Sequence, residues 1–97
     1  MFTGFVSQEG VRLVARTEQV TIYTTTVCGP CVRLKRMLDD EQISYTEVNV
    51  ERDESAADWV MSINSGNQTV PTVKFADGST LTDPTLGQVK ERLGLPA

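Results

Sequence analysis

Histidine does not occur in this chain of 97 residues. Its absence removes the side chain that titrates nearest neutrality, and with it the usual general base and the commonest metal ligand. Cysteine occurs only twice, as Cys28 and Cys31. Zinc needs four ligands, so this pair supplies half a site, which only sharing between subunits would complete. Basic charge is scarce as well: nine Lys and Arg stand against thirteen Asp and Glu, a net charge of −4. Nucleic acids and anionic membrane surfaces need a clustered basic face, and this balance argues against both as partners. Long apolar runs are missing too, and nothing approaches the roughly 20 residues that cross a bilayer. Gln8, Glu9 and Arg12 interrupt the start of the chain after Phe2, Phe5 and Val6, with no basic segment ahead of an apolar block. The expectation is a cytoplasmic protein, and an acidic chain with no evident sticky face reads as a monomer.

What is present fits one domain with a single core. Residues 1–19 lack sustained periodicity and read as an N-terminal extension with at most one short strand or helix; the domain is assigned to 20–97. Val20 to Thr24 form a β-branched and aromatic run that reads as a buried strand. A helix follows from the Cys28-Gly29-Pro30-Cys31 motif to near Gln42, with Leu34, Met37 and Leu38 at helical spacing. Ile43 to Val50 mark a second strand, and a crossover helix of about a dozen residues permits parallel pairing. Asp53 caps a second helix carrying Ala56, Trp59, Val60 and Ile63 on one face, ended by Asn64 to Asn67. Val70 to Phe75 is a third strand, Asp77-Gly78 a tight turn, and Ser79 to Thr82 its hairpin partner. Asp83 is expected to cap a last helix with Pro84 at its first position, Leu86, Val89 and Leu93 on one face, and Gly94 beyond its end.

The chemistry concentrates at the CxxC. Cysteine reacts as thiolate, and a helix N-terminus stabilises that anion through free N–H groups and the positive end of the dipole. Comparable settings lower a thiol pKa from about 8.5 into the range of roughly 3.5 to 7.5, with neither histidine nor metal required. Cys31 stands one turn further on, within disulfide reach at a Cα separation of about 5 to 6 Å. Cys28 is therefore the exposed attacker. Cys31, among Leu34 and Leu38, is the less accessible thiol that can resolve a mixed disulfide. Gly29 and Pro30 shape the motif by leaving little side chain between the sulfurs and a stiff first turn.

Other readings of the pair stay open at this level: a structural disulfide, a shared metal site, or a cluster bridged between two chains. A disulfide over so short a loop contributes only about 2 kcal/mol, and a reducing compartment would not preserve it. Thr69-Val70-Pro71 adds a second feature. A proline at a strand start after a polar loop is a candidate cis peptide, and such a turn would point the Val70 N–H and C=O outward as an edge for an extended substrate.

From about Val20 to Leu93 the segments TIYTTTVCGPCVRLK, ISYTEVNVERD and SGNQTVPTVKFADGSTLTDP together resemble the glutaredoxin branch of the thioredoxin superfamily, in particular the mycoredoxins. The resemblance implies an α/β thioredoxin fold: a four-stranded mixed sheet, ordered β2-β1-β3-β4 with strands numbered along the chain, and helices on both faces. It implies that Cys28 is the nucleophile, Cys31 the resolving thiol and Pro71 the cis proline. Thr69, Val70, Pro71, Thr82 and Asp83 would bind substrate, Val70 through its backbone and Thr82-Asp83 near the polar end of a small thiol. The implied activity is thiol-disulfide exchange on mixed disulfides between proteins and a low-molecular-weight thiol. Mycothiol would be the co-substrate, with no bound cofactor and no metal, and a flavin-dependent disulfide reductase would supply electrons directly or indirectly.

Several positions depart from the family pattern. Gly29-Pro30 is the thioredoxin dipeptide, yet Val27 stands where thioredoxins carry Trp. The lysine common upstream in glutaredoxins is replaced around Thr25, and the glycine pair after the third strand is absent near Leu81-Thr82. These differences count against glutathione and are compatible with mycothiol. One rival reading is a dithiol electron donor for ribonucleotide reductase, reduced by thioredoxin reductase; another is a metal-binding or cluster-binding module.

Overall fold

The computed structural model describes residues 20–96, so the expected 1–19 extension and its short strand or helix lie outside the described residues. The β-branched run after Gln19 forms β1 (Thr21–Thr24), with Ile22 and Thr24 buried on one side and Tyr23 turned to the other. Helix α1 (Gly29–Asp40) crosses over to β2 (Thr46–Asn49), which pairs parallel to β1 with Ile22 opposite Glu47. A 3-10 turn (Val50–Arg52) then leads into α2 (Glu54–Ile63). The Asp53 carboxylate caps α2, accepting the Ala56 N–H at 3.1 Å, as its place before an amphipathic run predicts.

Strand β3 (Thr72–Lys74) returns antiparallel to β1, and β4 (Thr80–Thr82) pairs antiparallel to β3, with α3 (Leu86–Leu93) last. The sheet order is β2-β1-β3-β4, as expected. Helices cover both faces. On one, Leu34 and Leu38 of α1 and Val89 of α3 bury against Val20, Ile22, Val73 and Phe75. On the other, Ala56, Ala57 and Val60 of α2 cluster with Val50, and Tyr23, Val48, Trp59 and Val70 pack against them. Trp59 is a half-buried packing residue, its ring 4.7 Å from that of Tyr23 and capped by the Lys74 ammonium 5.6 Å away.

Three local expectations are corrected. Asp83 does not cap the last helix: it takes a left-handed φ of 49° and its N–H goes to the Pro71 carbonyl at 2.8 Å. Thr85 is the cap. Its hydroxyl accepts the Gln88 N–H at 3.1 Å, and the Gln88 side chain accepts the Thr85 N–H at 2.9 Å, a reciprocal capping box that leaves Pro84 outside the helix. The second strand begins later than Ile43, because the Ile43 N–H closes the end of α1 on the Leu38 carbonyl at 2.9 Å and Gln42 turns at φ 58°. Ile63, placed by periodicity on the buried face of α2, is 40% exposed at the helix end.

Candidate active site

Cys28 occupies the N-cap of α1 in an extended conformation, φ −150° and ψ 101°. An N-cap side chain accepts from the amide two or three residues on, a place usually held by Ser, Thr, Asn or Asp. Here the acceptor is sulfur. Pro30 removes one of the first-turn amides, and the Cys31 N–H points at Cys28 Sγ from 3.1 Å. The free amides and the dipole of α1 therefore converge on the atom that must carry negative charge when the thiol ionises.

Cys28 and Cys31 form a disulfide with a Cα separation of 5.2 Å, inside the span expected from one helical turn. Their environments differ as predicted. Cys28 is half-buried, whereas Cys31 is 1% exposed and points inward beside Leu34. Among the described residues little covers Cys28: Val27 is 91% exposed, and a Cβ added at Gly29 would meet no atom within 4 Å. Nothing in the fold itself demands glycine at position 29, so the space it leaves lies open to an incoming molecule.

The loop carrying Thr69, Val70 and Pro71 reaches the same place. The Val70-Pro71 peptide is cis, and the Val70 carbonyl oxygen lies 4.0 Å from Cys28 Sγ. Among the described residues, no acceptor takes the Val70 N–H, and the carbonyl meets nothing but that sulfur. Thr82 and Asp83 are brought alongside, the Asp83 N–H on the Pro71 carbonyl and Thr82 opposite Thr72 in the β3–β4 ladder. All nine residues singled out in the sequence, Gly29 and Pro30 of the motif included, thus fall at one end of the sheet.

Other neighbours of the site have no legible sequence signal. The Thr26 N–H donates to Glu51 Oε1 at 3.0 Å and Asn49 Nδ2 to Thr26 Oγ1 at 3.1 Å, bracing the segment that delivers Cys28. Glu47 receives Lys35 Nζ and the buried Thr24 hydroxyl, each at 2.8 Å. The Lys35 bond, helped by Thr24, holds the Glu47 carboxyl below its ordinary pKa of 4.5. A cleft of about 390 Å³ beside Cys31 is lined by Thr25, Thr26, Val32, Lys35, Glu47, Asn49 and Arg52. It collects residues from four segments, which no local pattern announces. Among the described residues no group of three or more His, Cys, Asp or Glu side chains is placed to hold a metal ion.

The sequence of residues 20–79 matches the family model described as Glutaredoxin. The chain belongs to the glutaredoxin family. A Mycobacterium tuberculosis protein provisionally named a glutaredoxin is 56% identical over 77 residues, covering 79% of this chain and 92% of its own. Mycoredoxin 1 of Corynebacterium glutamicum is 43% identical over 70 residues, covering 72% of this chain and 86% of its own. Among solved structures, the glutaredoxin of Methanosarcina mazei superposes with a TM-score of 0.67 at 22% identity, over 81% of each chain, and supports the fold. This chain is accordingly a mycoredoxin-like glutaredoxin and a thiol-disulfide oxidoreductase, with a CxxC pair able to form a disulfide. Membership implies thiol-based partners, proteins and small thiols alike. None of the helices among the described residues is long and apolar enough to cross a membrane.

Proposed function

We propose that this glutaredoxin reduces mixed disulfides between proteins and a low-molecular-weight thiol, with mycothiol as that thiol. The observation that carries the reading is the placement of Cys28 Sγ, 3.1 Å from the Cys31 amide nitrogen and 4.0 Å from the Val70 carbonyl oxygen. One contact favours the thiolate and the other marks where an extended substrate would lie. The Cys28 thiolate attacks the small-thiol sulfur of the mixed disulfide, and the protein sulfur leaves as thiolate and takes a proton from solvent. A second small thiol then attacks the Cys28 adduct and leaves with its partner as a symmetric disulfide. Alternatively Cys31, deprotonated, attacks Cys28 Sγ, expels the small thiol and forms the Cys28–Cys31 disulfide. The short Cα separation favours access to this second route.

Val70, whose N–H has no acceptor among the described residues, offers its N–H and C=O to the substrate backbone, Thr69 and Pro71 shape that edge, and Thr82 and Asp83 lie toward the polar end of the small thiol. The choice of mycothiol is supported by the likeness to Mycoredoxin 1 and by Thr25 in place of a lysine. The test is steady-state reduction of one model peptide carrying mycothiol or glutathione. A clear preference for the mycothiol adduct, abolished by Cys28→Ser, is the expected result. Equal rates with both would remove the assignment of the thiol. Efficient reduction by thioredoxin reductase with no activity on either adduct would instead establish the electron-donor role.

A further inference from the structure

Asn64 closes α2, and its place in sequence, ahead of Ser65, Gly66 and Asn67, is that of an ordinary helix stop. In the fold its side chain does more. Asn64 Nδ2 donates to the Val60 carbonyl at 2.9 Å and to Thr72 Oγ1 at 3.1 Å, while Asn64 Oδ1 accepts the Thr82 hydroxyl at 2.7 Å. The Thr72 hydroxyl, fully buried, in turn donates a hydrogen bond to the Thr69 carbonyl at 2.7 Å. One amide thus joins the end of α2, β3, β4 and the loop that presents Val70. A hydroxyl at position 72 that receives one hydrogen bond and gives another has a single orientation, so the chain from Asn64 to Thr69 is directional.

We propose that Asn64 is a positioning residue for substrate recognition: through Thr72 it fixes the Thr69 carbonyl and thereby the height of the Val70 main chain over Cys28 Sγ. The inference rests on the reading of Val70 as the substrate edge. At the other end of the loop the Asp83 N–H holds the Pro71 carbonyl, so Val70 is suspended between two anchors. Asn64 touches neither sulfur nor the approaching thiol, and its loss acts on KM and not on thiolate formation.

Thr72→Val and Thr72→Ser separate this role from packing. Valine keeps the shape and removes the hydroxyl; serine keeps the hydroxyl and removes a methyl. Thr72→Val and Asn64→Ala should each raise KM for the peptide–mycothiol mixed disulfide about three- to tenfold, the scale of one lost hydrogen bond, with kcat within about twofold. Thr72→Ser should retain the wild-type KM, and the double variant should be no worse than Asn64→Ala alone. The ultraviolet titration of the Cys28 thiolate should not move in any of them. A Thr72→Ser enzyme worse than Thr72→Val, or unchanged KM in Thr72→Val, overturns the inference. Amide exchange at Val70 in a mixed disulfide trapped with Cys31→Ser tells the two proposals apart. No slowing of that amide on adduct formation removes the substrate edge and this inference together. Slowing that is identical in the Thr72→Val background, at unchanged KM, removes only the inference.

Discussion

Under α1 and α3 the sheet presents Val20, Ile22, Val73 and Phe75 to Leu34, Leu38 and Val89, a continuous aliphatic and aromatic interior. Under α2 it presents Tyr23, Val48 and Thr72 to two alanines, one valine and the amide of Asn64. Apolar burial is roughly proportional to area and non-directional, whereas hydrogen bonds fix distance and angle. The first face is therefore suited to hold the domain together and the second to set the position of the loop beside Cys28. Thr24 and Thr72 are both buried, but their hydroxyls have different partners: Thr24 donates to the Glu47 carboxylate that also receives Lys35 of α1, and Thr72 donates to the Thr69 carbonyl of the loop beside Cys28.

The division can be broken by cavities. Leu38→Ala, at a position with no exposed surface, should cost about 2 to 5 kcal/mol of unfolding free energy in urea. Val60→Ala on the α2 face, equally buried, should cost about 1 to 3 kcal/mol. Equal losses would erase the asymmetry of stability. Of intermediate size is the cap of α3: Thr85→Ala removes the capping box and should lower stability by about 1 kcal/mol, read as a shift in the denaturation midpoint at constant slope.

The smallest effect is in acid and touches both faces. Lys35 lowers the pKa of Glu47 from 4.5, and the Ser55 hydroxyl with the Ala56 amide lowers that of Asp53 from 3.8. Each carboxylate therefore adds stability that is present above its ordinary pKa and is lost as pH falls through the lower folded value. Stability should decline as pH drops below about 4.5 and continue to fall past 3.8. Glu47→Gln should flatten the upper part of the decline and Asp53→Asn the lower, as measured by urea midpoints across that range. An unchanged profile in both would show that neither contact survives in solution.

Legibility followed the range of each interaction. Cys28 and Cys31 were readable because one helical turn fixes both their separation and their unequal burial. The Val70-Pro71 loop was readable from a local pattern and a family resemblance, and Asp53 from the residues it caps. Asp83 was misread because Asp-Pro imitates a helix start, while the Thr85 and Gln88 box that outweighs it lies two residues on. Asn64 was readable only as a helix stop, consistent with its bond to the Val60 carbonyl four residues back, and the role of Glu47 was not readable. The Thr72 and Thr82 partners of Asn64 and the Thr24 partner of Glu47 are 8 to 23 residues away in sequence, and only the strand order brings them within reach.

The outer strands β2 and β4 are four and three residues long, and β2 carries Glu47. Brief edge strands, one of them carrying a charge, are poor templates for an unrelated chain. Val70, by contrast, has an N–H with no acceptor among the described residues and a carbonyl beside a sulfur. Misplaced β-pairing is discouraged along these flanks, so on the proposed reading of Val70 a polypeptide that docks by backbone zippering is steered toward the sulfur that would exchange with it.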